Sequence, residues 1–451
     1  MNTSFFGELL TSITEQGRAL LDGGRGRNSD MPLVDLCDAL LSGRGEASGV
    51  AIAEEVLLTY SGLSADEKRA FFLALLERFG ADLEAVRRTF EELENSPEDP
   101  AVLRRLHLIS EPRRQELIRR LNLAPGGTRA LVNMRSDLLA NLREHPALSE
   151  VDQDFEHLFS SWFNRGFLVM RRIDWSTPAS ILEKIIEYEA VHQIDGWDDL
   201  RRRIGLEDRR LYAFFHPALV DDPLIFVEVA LTREIPGAIA PILTEERAEL
   251  TARDASTAVF YSISNCQKGL RGISFGSFLI KQVVEEMRRE LPGLKSFVTL
   301  SPVPGFARWL ASDLTNDTGP AGRLLDTDLV ESLSDKEWRN GPAAKQLEAL
   351  LPGLCAHYLT REKSRNGRPL DPVARFHIGN GARLERVNWL GDISLNGLEQ
   401  AHGFMVNYLY DLKYIEKNHE SYAATGAVAA SAAVAKLARP VPDLKQVAPA
   451  S

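Results

Sequence analysis

The sequence predicts an α+β fold in which an all-α N-terminal half precedes a strand-rich half. From about residue 30 to residue 165 the apolar residues recur at steps of three and four, which is the spacing of amphipathic helices. Beyond about residue 176 the chain changes to short runs of β-branched and aromatic residues, which are typical of buried strands. We therefore predict a helical domain at 1–165, an α/β domain at 166–422 and an Ala/Pro-rich tail at 423–451. The apolar faces of its amphipathic helices make the helical domain the predicted oligomerisation domain.

In the first half, helices are predicted where the apolar spacing is regular and breaks where turn residues gather. Ser64 followed by Glu67 has the form of a capping box, in which each residue bonds the backbone of the other at a helix start. Residues 95–100 and 125–127 are rich in Asn, Pro and Gly and predict breaks between helices. The predicted helical segments are FFLALLERF at 71–79, LEAVRRTFEEL at 83–93 and RALVNMRSDLLANL at 129–142.

In the second half, a helix and then several strands are predicted. Ser176-Thr177-Pro178 is a typical helix start and leads into SILEKIIEYEAV. GSFLIKQVVEEMRREL at 276–291 has a helical period between two strand candidates, so strand, turn, helix and strand follow in order. The strand candidates are LYAFFH at 211–216, LIFVEVALT at 224–232, TAVFYSIS at 257–264 and LKSFVTL at 294–300.

Composition and charge argue against several classes of protein. The 451 residues are 44% hydrophobic and 26% charged, which is ordinary for a folded enzyme-sized chain. A net charge of -11 with dispersed basic residues argues against a nucleic-acid surface. No apolar run is long enough to span a bilayer, and MNTSFFGELL lacks the basic start of a signal peptide, so we expect no membrane partner and a cytoplasmic location. The Ala-rich tail is expected to form a weakly packed helix or a disordered terminus.

Cysteine and histidine spacing does not indicate a metal site. Cys37, Cys266 and Cys355 are widely separated, which fits a reducing compartment and disfavours disulfides and structural zinc. Cys266 ends a predicted strand and is the one candidate for a cysteine nucleophile, although a small buried cysteine explains it as well. The histidines at 216, 357, 402 and 419 have no second donor at metal-ligand spacing, so no metal is expected.

A Gly-rich turn between the third strand and its helix is a candidate phosphate site. Glycines allow a tight turn that aims backbone N–H groups outward, and the helix N-terminus that follows favours an anion. The same pattern also occurs as simple punctuation between a strand and a helix. The predicted ligand-binding residues of this turn are Gln267, Arg271, Gly272, Ser274, Gly276 and Ser277. Arg271, Ser274 and Gly276 resemble the Q/R-x-x-G-x-G/A signature with which GNAT acyltransferases clasp the pyrophosphate of coenzyme A, with Ser274 in place of the middle Gly.

Several longer segments together resemble the malonyl-CoA decarboxylase family over most of residues 160–415. The segments are SWFNRGFL, EYEAVHQIDGWDDLRRRI, VEVALT, FYSISNCQKGLRGISFGSFLIKQVV, LSPVPGFARWL, DPVARFHIGNGARLERVNWLGDISLNG and GFMVNYLY. The resemblance implies a helical N-terminal domain before a GNAT-like catalytic domain. It also implies decarboxylation of malonyl-CoA to acetyl-CoA and CO2, with no cofactor beyond the CoA of the substrate, in a homo-oligomer of two or four chains.

Two residues of these motifs suit the chemistry that the resemblance implies. Ser301 follows a predicted strand and precedes Pro302 and Pro304, so it lies at a strand end, where ligands of α/β sheets collect. It could instead cap the helix expected near PGFARWL.

His377 ends a β-prone run before a Gly-Asn-Gly turn, and imidazole suits proton transfer near neutral pH. A lone histidine among apolar residues is also a common core residue. The resemblance makes Ser301 and His377 the catalytic pair and leaves open which of them delivers the proton.

The resemblance also assigns Asn388 and Tyr410 to the active site and Ser262 to the substrate-binding residues. Asn and Tyr side chains can orient a carboxylate or a thioester oxygen, but a turn-forming Asn and a half-buried Tyr are the plain alternatives. Other members of the family carry Glu at the position of Ser274, so an acidic partner for the catalytic pair is absent or replaced here. CoA-dependent acyl transfer, and a non-catalytic regulator that senses malonyl-CoA, are the alternative functions.

Overall fold

The chain divides into two compact units, which are described separately. One unit comprises Met1–Arg171, Phe214–Ile225 and Asn265–Gly276, and the other comprises Arg172–Ala213, Phe226–Ser264 and Ser277–Ser451. The structure, a computed structural model, describes residues 31–42, 45–95, 97–244, 250–273, 279–316, 319–335 and 337–439.

The first unit is built from helices, as the apolar spacing predicts. Ser64 and Glu67 form the predicted capping box, with the Glu67 carboxylate accepting from the Ser64 N–H at 2.8 Å. The two predicted breaks separate successive helices. The helices are α1 (Leu33–Leu41), α2 (Glu46–Ser61), α3 (Ala65–Arg78), α4 (Leu83–Asn95), α5 (Pro100–Ser110), α6 (Arg113–Leu121), α7 (Gly127–Asn141) and α8 (Ser149–Trp162).

The predicted strands of the second half are all present, and their ends differ from the predicted ones by at most two residues. The helix after Ser176-Thr177-Pro178 is also confirmed, and Pro178 is its N-cap. The elements are β1 (Val169–Ile173), α9 (Ala179–Tyr188), α10 (Trp197–Ile204), β2 (Arg209–Phe215), β3 (Pro223–Thr232), α11 (Ala240–Leu243), β4 (Thr257–Asn265), α12 (Leu279–Glu290), β5 (Ser296–Thr299), β6 (Ser301–Pro302), α13 (Phe306–Asp313), α14 (Pro320–Leu324), α15 (Thr327–Ser334), α16 (Ala344–Thr360), α17 (Pro372–Gly379), β7 (Arg383–Asn388), α18 (Leu395–Ala401), β8 (Met405–Leu409), α19 (Ile415–Thr425) and α20 (Ala432–Leu437).

Among the described residues, eight strands form one mixed sheet. Its order is β1-β2-β3-β4-β5-β8-β6, and β7 pairs with β8. β4 and β5 are parallel, as expected for strands joined by the crossover helix α12, whereas β5, β6 and β7 each pair antiparallel with β8. The parallel register ends where Phe260 lies opposite Thr299, and β4 then continues to Asn265. The α+β class is therefore confirmed.

Alternation along the strands gives this sheet one apolar and one polar face near β4 and β5. The apolar face carries a buried cluster that includes Val259, Tyr261, Val298, Leu300 and Met405. Because successive side chains of a strand point to opposite faces, the intervening residues lie on the other face. These are Phe260, Ser262, Thr299 and Ser301. We refer to this second face as the polar face.

The described part of the tail packs more closely than its composition predicts. The Leu384 N–H donates to the Ala429 carbonyl at 2.8 Å, and the Ser431 N–H donates to the Leu384 carbonyl at 2.9 Å, so the tail adds a short bridge to β7. Ser431 then caps α20, whose Val434 is buried. The reason is backbone hydrogen bonding to a sheet edge, which composition does not reveal.

Two further predictions concern cysteines and the membrane. Cys37, Cys266 and Cys355 are all buried and free of disulfides. Within the described ranges, no helix is both long and apolar enough to cross a bilayer.

Candidate functional site

Ser301 and His377 meet on the polar face of the sheet. Ser301 Oγ lies 3.3 Å from His377 Nε2, although 76 residues separate them in the chain. Both side chains are buried, with exposed fractions of 6% and 3%. A hydroxyl and an imidazole in such a contact can pass a proton between them and on to a substrate.

The local structure around His377 differs from the sequence prediction. The prediction that His377 closes a β-prone run is wrong, because it lies in the last turn of α17. Asp371 caps this helix by accepting the Ala374 N–H at 2.8 Å, and Pro372 occupies its first position, where proline is well tolerated. The helix start signal Asp-Pro is present in the sequence and outweighs the β-branched and aromatic residues that suggested a strand.

Ser301 does not cap the helix that follows it. α13 begins at Phe306 with Gly305 as its N-cap, and the Ser301 backbone pairs instead with Val406 of β8. The Ser301 hydroxyl donates to Thr299 Oγ1 at 2.9 Å. Ser301 is therefore held at the end of a strand with its side chain on the polar face, as its place before Pro302 predicted.

Tyr410 extends this pair into a buried chain of hydrogen-bonding groups. Its hydroxyl lies 2.8 Å from His377 Nδ1, and its exposed fraction is only 1%, so it is fully buried rather than half-buried. The ring of Tyr408 stacks on His377 with centroids 4.6 Å apart. The Ser301 hydroxyl has a single proton, which it donates to Thr299, so one tautomer satisfies all of these hydrogen bonds: Nε2–H donates to Ser301 and the Tyr410 hydroxyl donates to Nδ1.

Thr299 was not predicted to belong to the site. It lies at the other end of this series of hydrogen bonds, beyond Ser301. It is completely buried, and its Oγ1 accepts from both the Ser301 hydroxyl and the Tyr408 N–H, the latter at 3.1 Å. Its carbonyl accepts from Asn407 Nδ2 at 2.8 Å. Alternation along LKSFVTLS would have placed Thr299 and Ser301 on one face, which is the signal that could have found it.

Asn388 lies away from this series of hydrogen bonds. It ends β7 opposite Met405 of the apolar cluster, so by strand pairing its side chain belongs to the face opposite Ser301. Its amide donates to Asn407 Oδ1 at 2.9 Å, and its Oδ1 accepts from Arg386 Nε at 2.7 Å. It is a strand residue rather than a turn residue, and it reaches Thr299 only through Asn407.

Ser262 lies on the polar face beside a carboxylate that the sequence did not single out. Its hydroxyl is 2.8 Å from each oxygen of Glu189, and Ser264 Oγ is 3.1 Å from Glu189 Oε2. All three residues are buried. The position of Ser262 in YSIS made it a predicted substrate-binding residue, whereas no motif pointed to Glu189.

The Gly-rich turn is described only as far as Ile273. Ser274, Gly276 and Ser277 lie outside the described residues. Gln267 Nε2 donates to Asp222 Oδ1 at 3.2 Å and to the Pro223 carbonyl, so its amide is engaged within the helical unit. Arg271 and Gly272 are exposed, and Gly272 has φ +86°, a conformation that suits glycine.

Packing explains another glycine of this turn. A Cβ at Gly269 would lie 1.8 Å from the Val132 carbonyl oxygen on α7. The buried Arg135 side chain donates to the carbonyls of Gly269 and Arg271, each at 2.9 Å. Packing alone therefore explains the glycine at 269. The exposed residues of the described part of this turn are Lys268, Arg271 and Gly272.

Metal-binding groups and the remaining cysteine do not extend the site. In the part of the chain that the structure describes, no group of three or more His, Cys, Asp or Glu side chains is arranged to hold a metal. Cys266 follows β4 and is buried in the helical unit, where its N–H donates to the Leu224 carbonyl. A thiol in that setting is better explained by packing than by nucleophilic chemistry.

Burial sets the protonation of His377 and of two further histidines. It lowers the pKa of His377 to about 3 and the pKa values of His192 and His402 to about 4. His377 is therefore neutral at physiological pH in the free protein. Since an unfolded histidine titrates near 6.5, the unfolded state binds more protons than the folded state between about pH 4 and 6.5.

This difference predicts acid lability. The free energy of unfolding is expected to be constant above about pH 6.5 with respect to these histidines and to fall below it, by up to about 1.4 kcal/mol per pH unit for each one. Urea unfolding at pH 7.5 and pH 5 measures this fall. His402→Asn removes one of these groups at a position with φ +48°, which asparagine tolerates, and should show a smaller fall. An identical fall in both proteins would contradict the assignment.

Comparison with known proteins gives consistent matches over nearly the whole chain. The family model described as the malonyl-CoA decarboxylase C-terminal domain matches residues 166–448, and the model of the N-terminal domain matches residues 79–163. A mitochondrial malonyl-CoA decarboxylase of Anser anser anser is 37% identical over 410 residues, covering 84% of this chain and 81% of the relative. Its counterpart from Rattus norvegicus is 38% identical over 416 residues, covering 84% and 83%.

Solved structures agree with these matches. A crystal structure of malonyl-CoA decarboxylase from Rhodopseudomonas palustris aligns with a TM-score of 0.86 at 56% identity, covering 91% of this chain and 100% of that one. The structure of the enzyme from Agrobacterium vitis aligns with a TM-score of 0.84 at 56% identity, covering 90% and 99%.

Proposed function

The chain belongs to the malonyl-CoA decarboxylase family, and we propose that its decarboxylation of malonyl-CoA proceeds through a thioester enolate that Ser301 and His377 protonate at C2. The observation that carries this proposal is the buried contact of 3.3 Å between Ser301 Oγ and His377 Nε2. The bond between C2 and the carboxylate carbon breaks, and its electron pair enters the enolate. CO2 leaves without charge, and C2 takes one proton to give acetyl-CoA.

The reaction consumes one proton, and the low pKa of His377 suggests when that proton is taken up. In the free protein, burial keeps the imidazole neutral. The malonyl carboxylate is an anion, and an anion placed near an imidazole favours its protonated form. Substrate binding therefore charges His377. As the enolate forms, Ser301 donates its proton to C2 and takes one from His377 Nε2, which returns the imidazole to its neutral form.

The thioester carbonyl itself accepts the electrons of the breaking bond, so we propose that no metal or organic cofactor is required. A product assay tests both parts of the proposal. Purified protein incubated with malonyl-CoA, without any acceptor amine, should release CO2 and acetyl-CoA in equal amounts, and dialysis against EDTA should leave the rate unchanged. Consumption of malonyl-CoA only when an amine is present would instead indicate acyl transfer. Loss of activity in EDTA, restored by a divalent metal, would contradict cofactor independence.

Tyr410→Phe tests the hydrogen bond behind His377. Removing the hydroxyl leaves the buried Nδ1 without its partner, and a net hydrogen bond is worth about 1 kcal/mol, so kcat should fall about fivefold with little change in KM. Tyr408→Phe is the matched control, because the Tyr408 hydroxyl has no hydrogen-bond partner among the described residues while its ring stacks on His377. Equal kcat values for the two variants would remove Tyr410 from the mechanism.

We also propose a homo-oligomer located in the cytoplasm. Exposed apolar side chains on α4 and α5, namely Leu83, Phe90, Leu103 and Leu108, support self-association. Three free cysteines support a reducing compartment. Light scattering that gives a monomer mass at micromolar concentration would contradict the first proposal, and recovery of the protein in an organelle fraction would contradict the second.

A further inference from the structure

A buried carboxylate lies on the polar face outside the Ser301–His377 chain. Glu189 follows α9 and is only 7% exposed. Its Oε1 accepts the N–H groups of Val191 and His192 at 2.8 and 2.7 Å. The hydroxyls of Ser262 and Ser264 donate to it as well. All four donors are neutral.

No cationic side chain compensates this carboxylate among the described residues. The buried Arg203 is engaged elsewhere: its Nη1 donates to Glu228 at 3.0 Å and its Nη2 to Asp199 at 3.2 Å. Burying a charge without a counter-charge costs free energy, and hydrogen bonds from four neutral donors offset that cost only in part. A role in the reaction would account for keeping the charge at this position.

Glu189 lies beside the reacting groups. Ser262 is two residues beyond Phe260 and shares its face, and the Phe260 ring contacts the ring of Tyr410 with centroids 6.3 Å apart. Tyr410 in turn bonds His377. Ser262 and the Glu189 carboxylate therefore lie on the same face as the catalytic pair, one strand away from Ser301.

Strands β4 and β5 stop pairing just before Ser262 and Ser301. The pairing of β4 with β5 ends at Phe260 and Thr299, and Ser301 pairs with β8 instead. Continued beyond Phe260 and Thr299, the parallel register would place Ser262 opposite Ser301, so Ser262 lies on the side of Ser301 that faces β4. A malonyl group reacting at Ser301 thus has the Ser301–His377 pair on one side and Glu189, with its two serines, on the other.

We propose that Glu189 is a specificity-determining residue that places negative charge beside the carboxylate of malonyl-CoA. This inference rests on the proposed function. The substrate carries its charge on the carboxylate, whereas CO2 has none, so a fixed negative charge at this position raises the free energy of the bound substrate more than that of the transition state. The hydroxyls of Ser262 and Ser264 donate hydrogen bonds to Glu189, so only their oxygen lone pairs can face the substrate. These lone pairs also disfavour the carboxylate of malonyl-CoA.

Glu189→Gln tests the charge, because glutamine has the same shape and keeps an acceptor oxygen. We measure kcat and KM for malonyl-CoA, and the inhibition constant Ki of acetyl-CoA as a competitive inhibitor. Removing a like charge beside the substrate carboxylate should lower the KM for malonyl-CoA on the order of tenfold and lower kcat by a similar factor. The Ki of acetyl-CoA, which lacks the carboxylate, should stay within about twofold.

Glu228→Gln is the matched control, since Glu228 is also buried in the sheet but pairs with Arg203. Glu228→Gln should change the KM for malonyl-CoA and the Ki of acetyl-CoA by the same factor. If Glu189→Gln likewise changes KM and Ki by the same factor, or raises KM for malonyl-CoA, Glu189 has only a structural role and the inference is overturned.

A second measurement needs no variant and covers the case in which Glu189→Gln does not fold. Malonamoyl-CoA carries a neutral amide in place of the carboxylate, and it should inhibit the unsubstituted protein with a Ki about tenfold below the KM for malonyl-CoA. Weaker or equal binding of the amide would overturn the inference. Release of CO2 from malonyl-CoA by the unsubstituted protein is scored separately, so failure of the proposed function is distinguished from failure of this inference.

Discussion

Replacing His377 by asparagine is expected to lower kcat for malonyl-CoA decarboxylation by about 10² to 10⁴-fold. General acid catalysis by a positioned side chain contributes about that factor, and asparagine cannot carry the proton that C2 requires. Malonyl-CoA should still bind, because the substitution leaves the exposed groups of the Gly-rich turn, the candidate phosphate site, unchanged. Steady-state assay of CO2 release measures kcat, and calorimetric titration of the inactive variant with malonyl-CoA measures Kd.

His402→Asn is the matched control for this substitution. His402 is half-buried, and this burial also lowers its pKa, to about 4, but it packs against Phe306 rather than Ser301. Its replacement should leave kcat unchanged within about twofold. Full activity in His377→Asn would remove His377 from the mechanism, whereas equal losses in both variants would indicate a general effect on folding.

Ser301→Ala is expected to lower kcat by about 10² to 10³-fold. The hydroxyl lies between His377 Nε2 and Thr299 Oγ1, so its loss interrupts the path by which a proton reaches C2. Ser301→Thr keeps the hydroxyl and suits a strand, so it should recover part of the lost rate. Single-turnover measurement of CO2 release distinguishes this loss in the chemical step from slow product release. Equal rates for the Ala and Thr variants would show that the hydroxyl is not the group that matters.

The double variant tests whether the two residues act as one unit. If Ser301 passes the proton of His377, the second substitution removes little that the first left, so the losses should not multiply. Multiplicative losses would indicate two independent contributions and would contradict a relay through Ser301.

Local patterns in the chain determined most of the elements. The capping box at Ser64 and Glu67 and the strand at 257–264 depend on neighbouring residues, so the sequence predicted them correctly. His377 is the exception. Its β-prone neighbours predicted a strand, whereas the Asp371 cap and Pro372 start a helix that buries the imidazole.

The site was predicted in part. Ser301, His377, Tyr410 and Ser262 were found through their motifs, and the structure brings the first three into one hydrogen-bonded chain. Thr299 was missed although strand alternation places it on the same face as Ser301. Glu189 was missed because a Glu after a helix has no distinguishing local signal. Asn388 was placed in the site by its motif, yet its hydrogen bonds are with Arg386 and Asn407.

The sequence by itself determined the fold class and the strands and named the candidate side chains of the site, because periodicity and motifs are properties of neighbouring residues. Only the tertiary structure decided which side chains meet. Ser301 and His377 are 76 positions apart, and Glu189 is 73 positions from Ser262, yet sheet alternation and helix packing bring each pair within hydrogen-bonding reach. Burial then lowers the pKa of His377 to about 3, an effect of the surrounding low-dielectric packing that no local pattern specifies.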